Sequence, residues 1–291
     1  MRRGYTVIYR RQIMQSNPLA NYYRKPPTYV SLPSRGKYYK QPPKLSVDGE
    51  LAVYPLTARH EMLLKNPDSL LNGDALFKVL SHVAPDIPDA SEMPMSDVEA
   101  VFVAMRIASY GKETELDCTC PKCSTVTRVG VDLPPMLARV NHLEEQYTCT
   151  LDSGLSITLT PKTLKTSISE SLVGLEQERM ILAIADDNKT VEERAKIYAD
   201  SMAYLTDKAV SNLASYVLKV TTPDGTVISE QKYIMEWADQ ISIDEYKEIQ
   251  KQINEIDKGG LDSTITVKCN NEECKEEYKQ QMQFDPARFF A

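Results

Sequence analysis

Two cysteine pairs constrain this chain more than any other feature: Cys120-Pro121-Lys122-Cys123 near the middle, and Cys269 with Cys274 close to the end. Each pair falls at the turn of an expected β-hairpin, because strand-like alternation precedes and follows it. Four thiolates on two facing turns suit the tetrahedral preference of Zn²⁺. The first spacing is near ideal and the second lies at the loose end of the usual range. Cys118 shares a strand face with Cys120 and stands as its alternative. Cys149 has no near partner and reads as a core residue. Four sulfurs leave no open coordination position, so the expected zinc, one per chain, is structural and its binding energy is folding energy. The hairpins would then be two halves of a split zinc ribbon, fastening the end of the chain to its middle. The same ligand set also suits iron.

An apolar share of 42% is enough for a real core, and no apolar run approaches a membrane span. The first residues are basic, but their apolar stretch is too short for a signal peptide, so the chain is expected to be made and kept in the cytoplasm. Six cysteines in such a chain fit metal ligands plus spares better than disulfides.

The net charge of −7 hides an asymmetry. Residues 1–44 hold ten Lys/Arg and no Asp or Glu, which leaves 24 basic against 41 acidic residues, a net of −17, in the rest. Seven of the 16 tyrosines and six of the 17 prolines also lie in that arm. The prolines interrupt helix and sheet alike, so an extended arm is expected, one that orders on a partner or folds back on its own acidic body. An acidic protein surface is a better partner for it than nucleic acid, because an acidic body repels polyanions.

After the arm, residues 45–110 read as a small unit of a hairpin plus helices. The hairpin turns at Asp48-Gly49, Thr57 caps a helix through Leu64, and Ser96 to Glu99 forms a capping box opening a central helix. Residues 111–162 hold the first zinc hairpin and a β-pair turning at Asp152 to Gly154. A helical insertion spans 163–260, with helices capped at Thr190, Asp207 and Ser242 and a stop at Gly259-Gly260. Residues 261–291 hold the second zinc hairpin. The fold class is α+β: a mainly helical body with short β-hairpins, a split zinc ribbon and an extended N-terminal arm.

No catalytic constellation stands out. His60, His82 and His142 lie in no ligand or nucleophile motif, and no Gly-rich phosphate loop of standard pattern occurs. No catalytic residue and no small-molecule substrate is expected. The rival to a structural role is a zinc-ribbon nucleic-acid-binding factor that uses the basic arm.

Several segments occur in a telling order: Leu32-Pro-Ser-Arg-Gly-Lys-Tyr-Tyr39, Gly49 to Glu61, Leu71 to Leu76, Met105 to Gly111, then Cys120-Pro-Lys-Cys123. This order resembles the baseplate hub (hub assembly) protein family of T4-like contractile-tailed phages, over roughly residues 30–160. The resemblance implies a non-enzymatic part in building the hub of the tail baseplate. It implies other baseplate or tail proteins as partners, and a place in the virion tail or in the host cytoplasm during assembly. Within the arm, Arg35, Lys37, Tyr38 and Tyr39 form the expected partner-contact cluster, with Gly36 letting the chain turn between the two cations.

Overall fold

The computed structural model describes residues 27–66, 73–186, 188–282, 284 and 289. Residues 1–26 of the basic arm therefore lie outside it. The architecture mixes helix and strand, with eight α-helices and five small antiparallel sheets among the described residues.

The first core is built on one helix. Helix α3 (Met95–Tyr110), preceded in the chain by α1 (Ala58–Leu64) and α2 (Asp74–Val83), buries Val98, Val101, Phe102, Val103, Ala104 and Met105. Apolar residues on nearly every side make it a core helix rather than a surface one. Strands β1 (Thr28–Ser31) and β2 (Glu50–Val53) pair in front of it and alternate Val30, Leu51 and Val53 inward. Helix α2 follows Gly73, whose φ of +80° suits glycine, and a Cβ there would lie 2.3 Å from Ile168 Cδ1.

Three expectations in this region need correction. The turn at Asp48-Gly49 forms, with Gly49 N–H bonded to Ser46 O at 3.0 Å, but residues before it are not its strand partner. Strand β2 pairs with Thr28–Ser31 instead, because that segment can bury Val30 while Val47 is fully exposed. Described residues 27–44 are thus not a free arm, since they supply β1 and the buried Leu32 and Ser34. Helix α3 begins at Met95 rather than through a box at Ser96, because a bridge between Pro94 and Thr163 fixes its start. The Met95 N–H donates to Lys162 O and the Leu164 N–H donates to Met93 O, both at 2.8 Å.

Two long hairpins follow. Strands β3 (Glu113–Thr119) and β4 (Val126–Asp132) pair over their full length, then come the short helix α4 (Pro134–Ala138) and strand β5 (Val140–Asn141). Strands β6 (Tyr147–Thr150), β7 (Ser156–Leu159), β8 (Val217–Thr221) and β9 (Val227–Ile228) form one sheet in that order. Helices α5 (Leu164–Ile184) and α6 (Val191–Ser215) stand between β7 and β8 as an antiparallel pair. The expected capping box at Thr190 is present. The expected break at Asp207 is not, because no Gly or Pro interrupts the run and Thr206 bonds back to Met202 O at 2.9 Å within the helix.

The second core joins that sheet to the end of α6, to α7 (Gln231–Ala238) and to α8 (Ile243–Ile256). It buries Cys149, Ile157, Leu159, Val220, Ile234, Ile249 and Ile253. The box at Ser242 caps α8, and strand β10 (Gly260–Leu261) then pairs with β5. The chain returns to the first core, where Met282 and Phe289 are buried. No helix among the described residues is long and apolar enough to cross a membrane.

Candidate metal centre

The last hairpin, β11 (Thr264–Lys268) with β12 (Glu277–Gln281), stands against β3–β4 and brings the two cysteine turns together. Alternation explains the arrangement. On the first hairpin Thr114, Cys118, Cys120, Thr127 and Val131 face inward, and on the second Val267 and Cys269 do so. The turns are also tied to each other directly. Thr127 Oγ1 donates to Asn270 Oδ1 at 3.1 Å, the Asn270 N–H donates back to Thr127 Oγ1 at 3.3 Å, and Lys122 pairs with Glu276 at 3.0 Å.

The sulfurs of Cys120, Cys123, Cys269 and Cys274 all lie within 4.8 Å of one another. Cys120 and Cys274 are 3.8 Å apart, and Cys123 and Cys269 are 3.6 Å apart. A tetrahedron with zinc–sulfur bonds of about 2.3 Å has edges of about 3.8 Å. The donor set and its spacing therefore fit a tetrahedral thiophilic cation. Cys118, the alternative ligand, is buried outside the group, with its sulfur 4.0 Å from the Leu116 carbonyl oxygen. Cys149 sits in the second core.

Both turns close in the same way. The Cys120 N–H donates to Thr125 O at 3.0 Å and the Cys269 N–H to Glu276 O at 2.8 Å. The residue after each second cysteine is left-handed without being glycine: Ser124 at φ 59° and Lys275 at φ 50°. That geometry turns the backbone so that both sulfurs of a pair point the same way. The sequence reading missed these two residues, since only a glycine at either place would have signalled the conformation.

Electrostatics set the thiols against one another. Hydrogen bonds from the Thr125 side chain and backbone hold Cys123 low, at about 6. The Glu276 N–H favours the Cys274 thiolate, but burial and the Cys123 and Cys120 sulfurs outweigh it and push Cys274 up to about 11. Cys269 is likewise raised, against the pull of the Asn271 N–H. One thiolate forms readily and then opposes the next, a conflict that a bound cation removes. Tyr278, inside the same interface, has its hydroxyl buried without a hydrogen-bond partner. Nothing in the spacing of the sequence marked it beyond its place in a strand.

The expected contact residues lie elsewhere. Tyr39 OH donates to the buried carboxylate of Asp97 at 2.7 Å, and Tyr38 OH donates to Glu144 O at 2.7 Å. Lys37 pairs with Glu145 at 2.5 Å, leaving Arg35 as the exposed member of the four. Arg35 and Tyr38 both have positive φ, 55° and 68°, flanking Gly36 at 75°. The three histidines are not in the sulfur group, and the His60 and His82 rings meet at a tilt of 41° with centroids 4.1 Å apart.

No curated protein and no solved structure matches the chain. A family model described as T4 bacteriophage base plate protein matches residues 30–291. The match runs past the segments that carry the resemblance and takes in both cysteine hairpins with everything between them. On that extent, the chain belongs to the T4 bacteriophage base plate protein family.

Proposed function

We propose that this baseplate protein is a non-enzymatic structural or assembly component of the hub of a contractile tail, held together by one structural zinc. One observation carries the assembly reading. The α5–α6 pair holds its seam with polar bonds, Ser169 to Asn212 at 2.9 Å and Ser201 to Glu176 at 2.5 Å, while Leu175, Ile181, Leu182, Ile184 and Val191 are exposed. Large apolar side chains left exposed on this helix pair suit a surface that other subunits cover. In the loop of Arg35, Lys37, Tyr38 and Tyr39, the exposed Arg35 is the member left to meet an acidic neighbour, the other three being bonded within the chain.

In the zinc reading, Cys120, Cys123, Cys269 and Cys274 hold the ion, which supplies no reaction and ties the C-terminal hairpin to the middle of the chain. The assembly role is tested by deleting the gene from its phage and imaging the tails. Tails without complete baseplates are expected. Complete, infective baseplates would contradict the proposal.

A further inference from the structure

Ser96 and Glu99 have the spacing of a capping box, yet α3 begins at Met95 and neither side chain caps it. Three residues apart, they share a face of the helix, and both line a cavity of about 310 Å³. The end of α8 supplies Ile256, Asp257 and Gly259 to the same cavity.

Both α3 side chains lack a partner there. The Ser96 hydroxyl is buried without a hydrogen bond. Among the described residues no hydrogen bond or cation meets the Glu99 carboxylate, and the charge that acts on it is that of Asp257. Lys162 is the cation on the cavity wall, and it is already engaged, with Glu170 at 3.1 Å and Asp257 at 3.7 Å. The other oxygen of Glu170 accepts from Tyr216 OH at 2.7 Å. One positive charge thus answers three carboxylates, and Glu99 is the one left over. An unpaired carboxylate set into a cavity lowers stability, and such groups collect where a ligand completes the pairing.

The wall selects the ligand. Glu99, Asp257 and Ser96 all offer acceptor oxygens, so the ligand is a cation rich in donors. The cavity does not suit a bare hard metal ion, which needs about six oxygens packed closely around it. A guanidinium carries five donors in one plane. Met95, Leu143, Pro161 and Ile256 give apolar surface to the stem that carries it.

We propose that this cavity binds an arginine side chain, with Glu99 as its main counter-ion and Asp257 and Ser96 as further acceptors. Two sources offer one: a neighbouring baseplate subunit, and residues 1–26 of this chain, which hold six Lys/Arg and no Asp or Glu. The inference does not rest on metal at the cysteines, and its failure would leave the baseplate and metal readings untouched.

The test titrates ethylguanidinium into the full-length chain above neutral pH while NMR follows the amides of Ser96 and Gly259. Saturable shifts at both are expected. Binding is expected to be about 10-fold or more weaker in Glu99→Gln, and weaker in Asp257→Asn, which serves alone should the first variant not fold. Glu113→Gln, at an exposed carboxylate on β3, is expected to bind as the wild type does. Should the wild type not respond, a full-length variant with the six Lys/Arg of residues 1–26 changed to Gln decides. Saturable binding there supports the proposal and assigns the side chain to the chain's own arm. No response in either protein would overturn the proposal. Equal binding by the wild type and the two carboxylate variants would overturn it too, as would a response at these amides to Mg²⁺ alone.

Discussion

Ser34 and Asp97 are joined twice: the Ser34 N–H donates to Asp97 Oδ1 at 2.9 Å, and the Ser34 hydroxyl donates to Asp97 Oδ2. Tyr39 adds a third donor to the same carboxylate, and Gly36 N–H donates to Ser34 Oγ at 3.1 Å. One buried acid on the central helix thereby holds a loop that contains three consecutive or near-consecutive left-handed residues. Such backbone persists where surrounding bonds over-determine it. Asp97→Ala leaves three buried donors without an acceptor and is expected to cost about 3 kcal/mol or more in urea denaturation. Tyr39→Phe removes one donor and is expected to cost about 1 kcal/mol. A loss under about 1 kcal/mol in Asp97→Ala would show that the loop is held otherwise.

Stability is expected to fall as pH rises from acid toward neutral. Burial, and then the Asp257 charge, raise Glu99 from 4.5 to about 7, and burial raises Asp97 from 3.8 to about 6 despite its three donors. A carboxyl with a native pKa above its unfolded value binds its proton more tightly when folded. Its contribution is complete below the unfolded pKa and is lost as pH climbs to the native one. The window is therefore 4.5 to about 7 for Glu99 and 3.8 to about 6 for Asp97. Glu99→Gln is expected to stabilise the protein by about 3 kcal/mol above the window and to change little below it. Melting curves across that range check this, and an unaltered pH profile in the variant would contradict it.

The two turn residues at positive φ make opposite substitutions informative. A non-glycine residue pays about 1–2 kcal/mol in the left-handed region, part of which glycine returns through a looser unfolded chain. Ser124→Gly and Lys275→Gly are each expected to raise stability by about 0.5–1 kcal/mol, and Ser124→Val to lower it. Denaturation midpoints of the metal-loaded proteins measure this. Destabilisation by both glycines would show that the turns are held by those side chains rather than strained.

At the far end of α5 and α6, the Thr190 and Glu193 box satisfies two amide groups of the first helical turn. Thr190→Ala is expected to cost about 1 kcal/mol, and to do so locally. Faster amide exchange in the first turn of α6, with unchanged exchange in α3, is the expected pattern. Global loss of protection would contradict it.

Much of this architecture could be read from residue patterns because the signals were local. Thr190 and Ser242 announced their helices, Asp152 to Gly154 turned its hairpin, and the two cysteine pairs foretold the pairing of distant turns. The failures were decided by partners far away in sequence. Val30 and Leu32 looked like part of a proline-broken arm until β2 gave them a sheet and α3 gave them a core. Ser96 looked like a cap, but the bridge between Pro94 and Thr163 starts the helix earlier. Asp207 looked like a helix start, yet no Gly or Pro interrupts the run around it and α6 continues straight through. The grouping of the four sulfurs was legible from spacing, while Ser124 and Lys275 were not, because backbone angle alone sets them apart.

The most direct test of the metal-fastened hairpins is elemental analysis of the purified full-length protein, paired with its melting curve before and after chelation. The account predicts close to one zinc per chain, with removal of the metal lowering the melting temperature and freeing the β11–β12 hairpin to exchange its amides. A folded, stable protein carrying far less than one metal ion per chain would contradict it.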